Sequence, residues 1–135
     1  MFTHSVELRV RYGETDQMGY VYYGNYAQYL EVGRVEALRT LGFPYRRLEE
    51  EGIMLPVRSF NITYHAPAFY DDQITVRTSI SEMPTARIRF TYQIHNVAGA
   101  LLTEAETVLV FVDRESMRPR RAPAAFYEVM KEFFS

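Results

Sequence analysis

The chain has 135 residues, 47% of them hydrophobic, a formal net charge of −2 and no cysteine. That length suits one domain with a sizeable core, and the composition excludes a disordered chain, disulfides, thiolate metal sites and a cysteine nucleophile. The charge balance leaves no overall basic field for nucleic acid, and the longest strongly apolar run, Val108 to Val112, is far too short to span a bilayer.

The opening MFTHSVELRV lacks a basic stretch followed by an apolar one, so no signal peptide and a cytoplasmic location are expected. All the basic residues except Lys131 are arginine. With 11 tyrosines, 9 phenylalanines and no tryptophan, the aromatics point to a large apolar core or a subunit interface.

Along the chain, Val6, Leu8, Val10 and Tyr12 alternate with Glu7, Arg9 and Arg11, the pattern of a half-buried strand. A polar loop follows. From about Asn25 to Leu41 the period becomes helical, with Tyr26, Leu30, Gly33, Ala37 and Leu41 on one stripe and Tyr29 and Leu38 at its margin. Asn25 with Gln28 predicts an N-cap and capping box, and Gly42 and Pro44 end the helix. Gly33 on the buried stripe predicts close packing against a sheet.

Tyr45 to Glu51 suits one short helical turn. Strands are predicted over Leu55–His65, Ile74–Ile80, Ile88–Ile94 and Leu101–Asp113, with turns at Pro67/Asp71-Asp72, Glu82–Thr85 and Asn96–Gly99. Ala124 to Phe134 reads as a short terminal helix. Consecutive strands read as a meander require an antiparallel sheet whose apolar face the long helix covers, an α+β arrangement. The Leu55–His65 strand carries plausible side chains on both faces, as an edge strand pairing with a second subunit would.

The segment YGETDQMGYVYYGNY, Tyr12 to Tyr26, concentrates the chemistry. It holds a carboxylate, Asp16, in a glycine-bearing loop that runs into a helix N-terminus. Those are the parts needed to attack a carbonyl and hold the resulting oxyanion. The same aspartate also suits a turn that hydrogen-bonds its own loop. Thr15 and Asn25 either orient that loop or cap the helix.

The pattern Tyr12-x-x-Thr15-Asp16-x-Met18-Gly19-x-Val21-Tyr22-Tyr23-x-Asn25-Tyr26 resembles the signature of the 4-hydroxybenzoyl-CoA thioesterase family, in its acyl-CoA thioesterase branch. Leu41-Gly42 with Tyr45, Gly52 with Pro56-Val57, and Tyr64 through Pro67-Ala68 to Tyr70-Asp71-Asp72 are similar to that branch too. The resemblance covers residues 5 to 120. It implies a hotdog fold, a curled antiparallel sheet of about five strands around one long central helix, in a single domain spanning the chain. It also implies homodimers or homotetramers with active sites at subunit interfaces, an acyl-CoA or acyl carrier protein substrate, and no metal or redox cofactor, coenzyme A being part of substrate and product.

Carried over by position, Asp16 matches the catalytic aspartate, as nucleophile or general base. Tyr23 matches the residue whose backbone N–H polarises the thioester carbonyl. Many relatives have histidine there, so this chain retains a backbone role at that position. Val21, Tyr22, Gly24, Asn25 and Phe60 are the neighbouring candidates for substrate contact, with Tyr29 and Tyr64 as further pocket residues or plain core. Glu31, on the long helix, is the reserve carboxylate. Arg87 and Arg89 on one strand face, and Arg118, Arg120 and Arg121 after the last strand, suit the phosphates of coenzyme A or a solvated surface. His4, His65 and His95 are scattered without metal-ligand spacing. Hotdog hydratases and dehydratases pair a histidine with an acid, and no histidine lies near Asp16 in the sequence, which counts against that class. A non-catalytic acyl-CoA-binding module is the other alternative.

Overall fold

The computed structural model describes residues 1–134. Strand β1 (Phe2–Arg9) is followed by two 3-10 turns, Tyr12–Glu14 and Tyr23–Asn25, and by helices α1 (Tyr26–Thr40) and α2 (Tyr45–Glu50). Then come β2 (Ile53–Met54), β3 (Val57–Tyr64), β4 (Gln73–Ile80), β5 (Arg87–Asn96), β6 (Leu101–Val110), β7 (Val112–Asp113) and α3 (Ala124–Met130). Five strands form one antiparallel sheet in the order β1-β4-β5-β6-β3, and β2 pairs with β7. This is the hotdog arrangement, with α1 lying against β1 and β4. Among the described residues no helix is long and apolar enough to cross a membrane.

The alternation in the sequence places the core. Ile74, Val76, Thr78 and Ile80 of β4 and Ile88, Phe90, Tyr92 and Ile94 of β5 are buried against the apolar stripe of α1. Gly33 sits where α1 meets the sheet. A methyl group there would lie 2.6 Å from Thr78 Oγ1 and 2.8 Å from Val76 Cγ1, both on stiff, buried, β-branched side chains. Arg34 beside it is also buried, its Nε donating to Tyr45 Oη at 3.0 Å, a placement that the helical period gives no signal for.

Several boundaries differ from the sequence reading. The first strand starts at Phe2 and stops at Arg9, because Val10 turns to bond the 71–72 segment and Tyr12 swings out to 78% exposure. The strands after α2 are not a simple meander. Strand β3 crosses to the far side of β6, with Val57 opposite Leu109 and Tyr64 opposite Thr103, while β4 pairs with β1. The predicted capping box at Asn25 is absent, since its side chain makes no cap bond and reaches Glu14 instead. The terminal helix ends at Met130, followed by a 3-10 turn at Lys131–Phe133.

Strand β3 is an edge, hydrogen-bonded to β6 on one side only, and Val57, Phe60 and Tyr64 remain 41–45% exposed on it.

Gly33→Ala tests the close approach. Added helix propensity favours alanine by about 1 kcal/mol, whereas overpacking costs about 1–3 kcal/mol. Packing is expected to win by about 1 kcal/mol, read as a lower urea midpoint at unchanged slope; a midpoint equal to or above wild type would refute it.

Candidate active site

The Asp16 loop is closed by its own backbone. Thr15 bridges Val21, Asp16 N–H donates to Tyr20 O at 2.9 Å, and Gly19 N–H donates to Asp16 O at 3.0 Å. Gly19 has φ +87°, a left-handed conformation that glycine adopts without steric cost. Met18 N–H donates to Asp16 Oδ1 at 2.9 Å. Asp16 therefore serves its own turn with one oxygen, while Oδ2 accepts no hydrogen bond among the described residues.

The start of α1 is held against this loop. Tyr22 N–H and Asn25 Nδ2 both donate to the carbonyl oxygen of Glu14, at 2.9 and 2.7 Å. The backbone N–H groups of Tyr23 and Gly24, at the head of the turn leading into α1, have no acceptor among the described residues. They are orphan donors of the kind every helix start presents. A Cβ at Gly24 would come within 2.8 Å of Tyr22 Cε2, a contact that the half-exposed Tyr22 ring relieves by turning aside.

The segment after β3 forms the opposite wall. Val21 N–H donates to Ala68 O at 2.9 Å, Tyr20 bridges Phe69, and Tyr64 Oη donates to Tyr23 O at 3.2 Å. Between loop, helix start and wall lies a cleft of about 370 Å³, lined by Asp16, Tyr20, Tyr23, Tyr26, Tyr64 and His65 among others. Tyr26 packs edge-on against Tyr64 with ring centres 5.2 Å apart, and burial pushes the Tyr26 phenol up.

Of the residues singled out in the sequence, Asp16, Val21, Tyr23 and Tyr64 line this cleft. Tyr22 stacks on Tyr23 outside it, with ring centres 4.6 Å apart. Asn25 turns to Glu14, Tyr29 is buried with its hydroxyl on Glu14, and Glu31 is exposed on α1. Phe60 lies on the open edge of β3. The arginines do not reach the cleft of their own chain. Tyr64 stands opposite Thr103 and Arg87 opposite Val110, seven residues further along β6, or about 23 Å at ~3.3 Å per residue. Arg89 is paired with Glu82 and Glu106. Arg120 donates from Nε to Arg121 O, and Arg121 is exposed at that same distant end of the sheet.

His65, one of the scattered histidines of the sequence, lines the same cleft as Asp16 and bonds Glu104 through Nε2 at 2.9 Å. The absence of a nearby histidine therefore no longer argues against a hydratase. Tyr20 and Glu14 were not singled out, and Met18 and Tyr26 entered only as parts of the family pattern and the helical stripe. The cleft roles of Tyr20, Tyr26 and Met18 depend on the return of residues 64–70 to the loop, and that of Glu14 on its meeting with Tyr22, Asn25 and Tyr29, none of which a local pattern announces.

Glu14 has a distinctive environment. Its side chain is only 13% exposed. Burial raises its carboxyl pKa, but this is outweighed by hydrogen bonds from Arg11 N–H, Tyr29 Oη and Arg11 Nε, so the group is held below its ordinary 4.5. A lowered folded pKa stabilises the fold above the unfolded value near 4.5, and that contribution is lost as pH falls through the lower folded value. Glu14→Gln is therefore expected to be less stable than wild type at pH ~7, with the difference shrinking as pH falls below 4.5 and through the lower folded value. Urea unfolding across that range checks it, and a pH-independent difference would refute the ionic contribution.

Comparison with known proteins places this site in a family. Residues 10–134 match the profile of the Thioesterase-like superfamily. The acyl-CoA thioester hydrolase YbgC of Escherichia coli is 36% identical over 125 residues, covering 93% of each chain. The DHNA-CoA thioesterase of Staphylococcus aureus superposes with a TM-score of 0.93 at 32% identity, covering 98% of this chain and 91% of that one. A mutant 4-hydroxybenzoyl CoA thioesterase complexed with 4-hydroxybenzoyl CoA superposes with a TM-score of 0.83 at 26% identity, covering 94% and 97%. With a match across nearly its whole length in both sequence and fold, the chain belongs to the thioesterase-like superfamily of hotdog proteins.

Proposed function

We propose that the protein hydrolyses an acyl-CoA thioester to a free carboxylic acid and coenzyme A. The observation that carries this reading is that Asp16, with one unpartnered oxygen, and Tyr23, with an acceptor-free N–H, line one cleft. The thioester carbonyl oxygen lies against those N–H groups, where the positive end of the helix dipole adds to their field. Asp16 acts at the carbonyl carbon. As general base it takes a proton from water as the water oxygen bonds to carbon; the tetrahedral oxyanion then collapses, the C–S bond breaks and the thiolate leaves. As nucleophile its Oδ2 displaces the thiolate to form an acyl anhydride, which water opens. Either route uses water and the chain's own groups, with no metal or redox cofactor. The same steps serve an acyl carrier protein thioester, and a cytoplasmic setting suits either carrier.

A cleft of about 370 Å³ is near the small end of ligand sites, and Tyr20, Tyr23, Tyr26 and Tyr64 are four of the residues that line it. That favours a short or aryl acyl group over a long alkyl chain. The hydratase alternative draws on His65, whose ring is engaged by Glu104.

Thiol release from benzoyl-, crotonyl- and palmitoyl-CoA, with wild type and Asp16→Asn side by side, tests the reading. The chain's lack of cysteine removes its own thiol background. Wild type is expected to turn over benzoyl-CoA fastest, and Asp16→Asn to lose about 10²–10⁴-fold at an unchanged melting temperature. Equal rates would sink the role of Asp16. Hydration of crotonyl-CoA without thiol release would favour the hydratase, and binding without turnover the non-catalytic module.

The open edge of β3 supports a second part of the proposal, a homo-oligomer built on antiparallel β3–β3 pairing. Two-fold pairing would cover the exposed Val57, Phe60 and Tyr64 of both copies. It would also bring the end of the sheet that carries Arg87, Arg120 and Arg121 toward the other copy's cleft, where phosphates of coenzyme A can meet them. Sedimentation velocity is expected to find a dimer or tetramer for wild type and a monomer of low turnover for Phe60→Glu. A wild-type monomer with full turnover would overturn it.

A further inference from the structure

We infer that Glu14 is a positioning residue for the reaction, setting the spacing between Asp16 and the Tyr23 N–H group by clasping the loop to the helix start. The inference rests on the thioesterase reading of the same cleft. Glu14 ends a 3-10 turn two residues before Asp16, so its backbone moves with that loop. Its carbonyl oxygen takes two donors from the other side, Tyr22 N–H at 2.9 Å and Asn25 Nδ2 at 2.7 Å. Tyr22 directly precedes the N–H group proposed for the oxyanion, and Asn25 closes the same turn.

The carboxylate makes the clasp rigid. Oε1 accepts from Tyr29 Oη at 2.8 Å, a buried side chain in the first turns of α1, and from Arg11 N–H at 2.8 Å, while Oε2 accepts from Arg11 Nε at 3.2 Å. Glu14 thus ties the end of β1, the Asp16 loop and α1 through both its main chain and its side chain. It does not line the cleft, so it touches no substrate atom and acts only through the groups it holds. Catalysis by preorganised donors depends on such spacing: a displacement of ~1 Å at a reacting group costs about 10²-fold in rate.

The test uses Glu14→Ala, Glu14→Gln and Tyr29→Phe, assayed for thioester turnover and, by NMR, for exchange of the Tyr22 amide proton. Tyr29→Phe removes one hydroxyl and tests the clasp even where Glu14→Ala does not fold. For Tyr29→Phe and Glu14→Ala, kcat is expected to fall about 10–100-fold with KM within about twofold, and the Tyr22 amide to exchange about tenfold faster. Glu14→Gln keeps an acceptor for Tyr29 Oη and is expected to recover most of kcat. Wild-type kcat in Tyr29→Phe and Glu14→Ala would overturn the inference, as would lost turnover with Tyr22 exchange unchanged, or failure of Glu14→Gln to recover rate. If wild type turns over no thioester, the thioesterase reading fails, and amide exchange alone decides whether Glu14 clasps the loop.

Discussion

The close approach of α1 to the sheet at Gly33 is the constraint on which the rest depends. A side chain there would collide with Val76 and Thr78, so its absence sets the height of the helix above β4. The height of the helix axis in turn sets where its first N–H groups emerge. A helix raised by the width of a methyl group would strain the bonds by which Glu14 ties Tyr22, Asn25 and Tyr29 to the Asp16 loop. Core packing and site geometry are thus linked through one residue that takes no part in chemistry.

Two demands meet at the start of α1. Leaving N–H groups without acceptors is unfavourable where they are buried, yet a polarising site needs them free. The chain resolves this by satisfying the neighbours and exposing the donors. Glu14 takes Tyr22 N–H and the Asn25 amide, Tyr64 reinforces the Tyr23 carbonyl, and Tyr23 itself stays 65% exposed at the cleft with no acceptor for its N–H among the described residues. Asp16 is treated likewise, with one oxygen spent on Met18 N–H and the other open. The choice between a turn aspartate and a reactive one is therefore not exclusive, because the two oxygens are used differently.

The edge strand shows the same economy on a larger scale. Strand β4 buries one face completely and β5 and β6 nearly so, whereas β3 leaves Val57, Phe60 and Tyr64 about half exposed and its outer backbone groups unpaired. Exposed, unpaired, aromatic edges are sticky, which is why a second copy is proposed as the occupant. The arginine-bearing end of the sheet lies far from its own cleft, and in the proposed pairing it would face the cleft of the other copy.

The sequence by itself determined the elements and the chemistry of one segment. The buried stripe of α1, the alternation in β4 and β5, the role of Gly33 and the placement of Asp16 just before a helix start were all visible, because periodicity and turn chemistry act over a few residues. It did not determine the order of strands. Nothing near Val57–Tyr64 says that this strand skips β4 to pair with β6, since both partners offer the same pattern. Nor did it show that His65, Tyr26 and Tyr64 share a cleft with Asp16, that Asn25 abandons its cap for Glu14, or that the arginines fall at the opposite end. Those are decided by contacts between residues from 11 to about fifty positions apart, and such contacts exist only once the sheet has closed around the helix and chosen which loop meets which end.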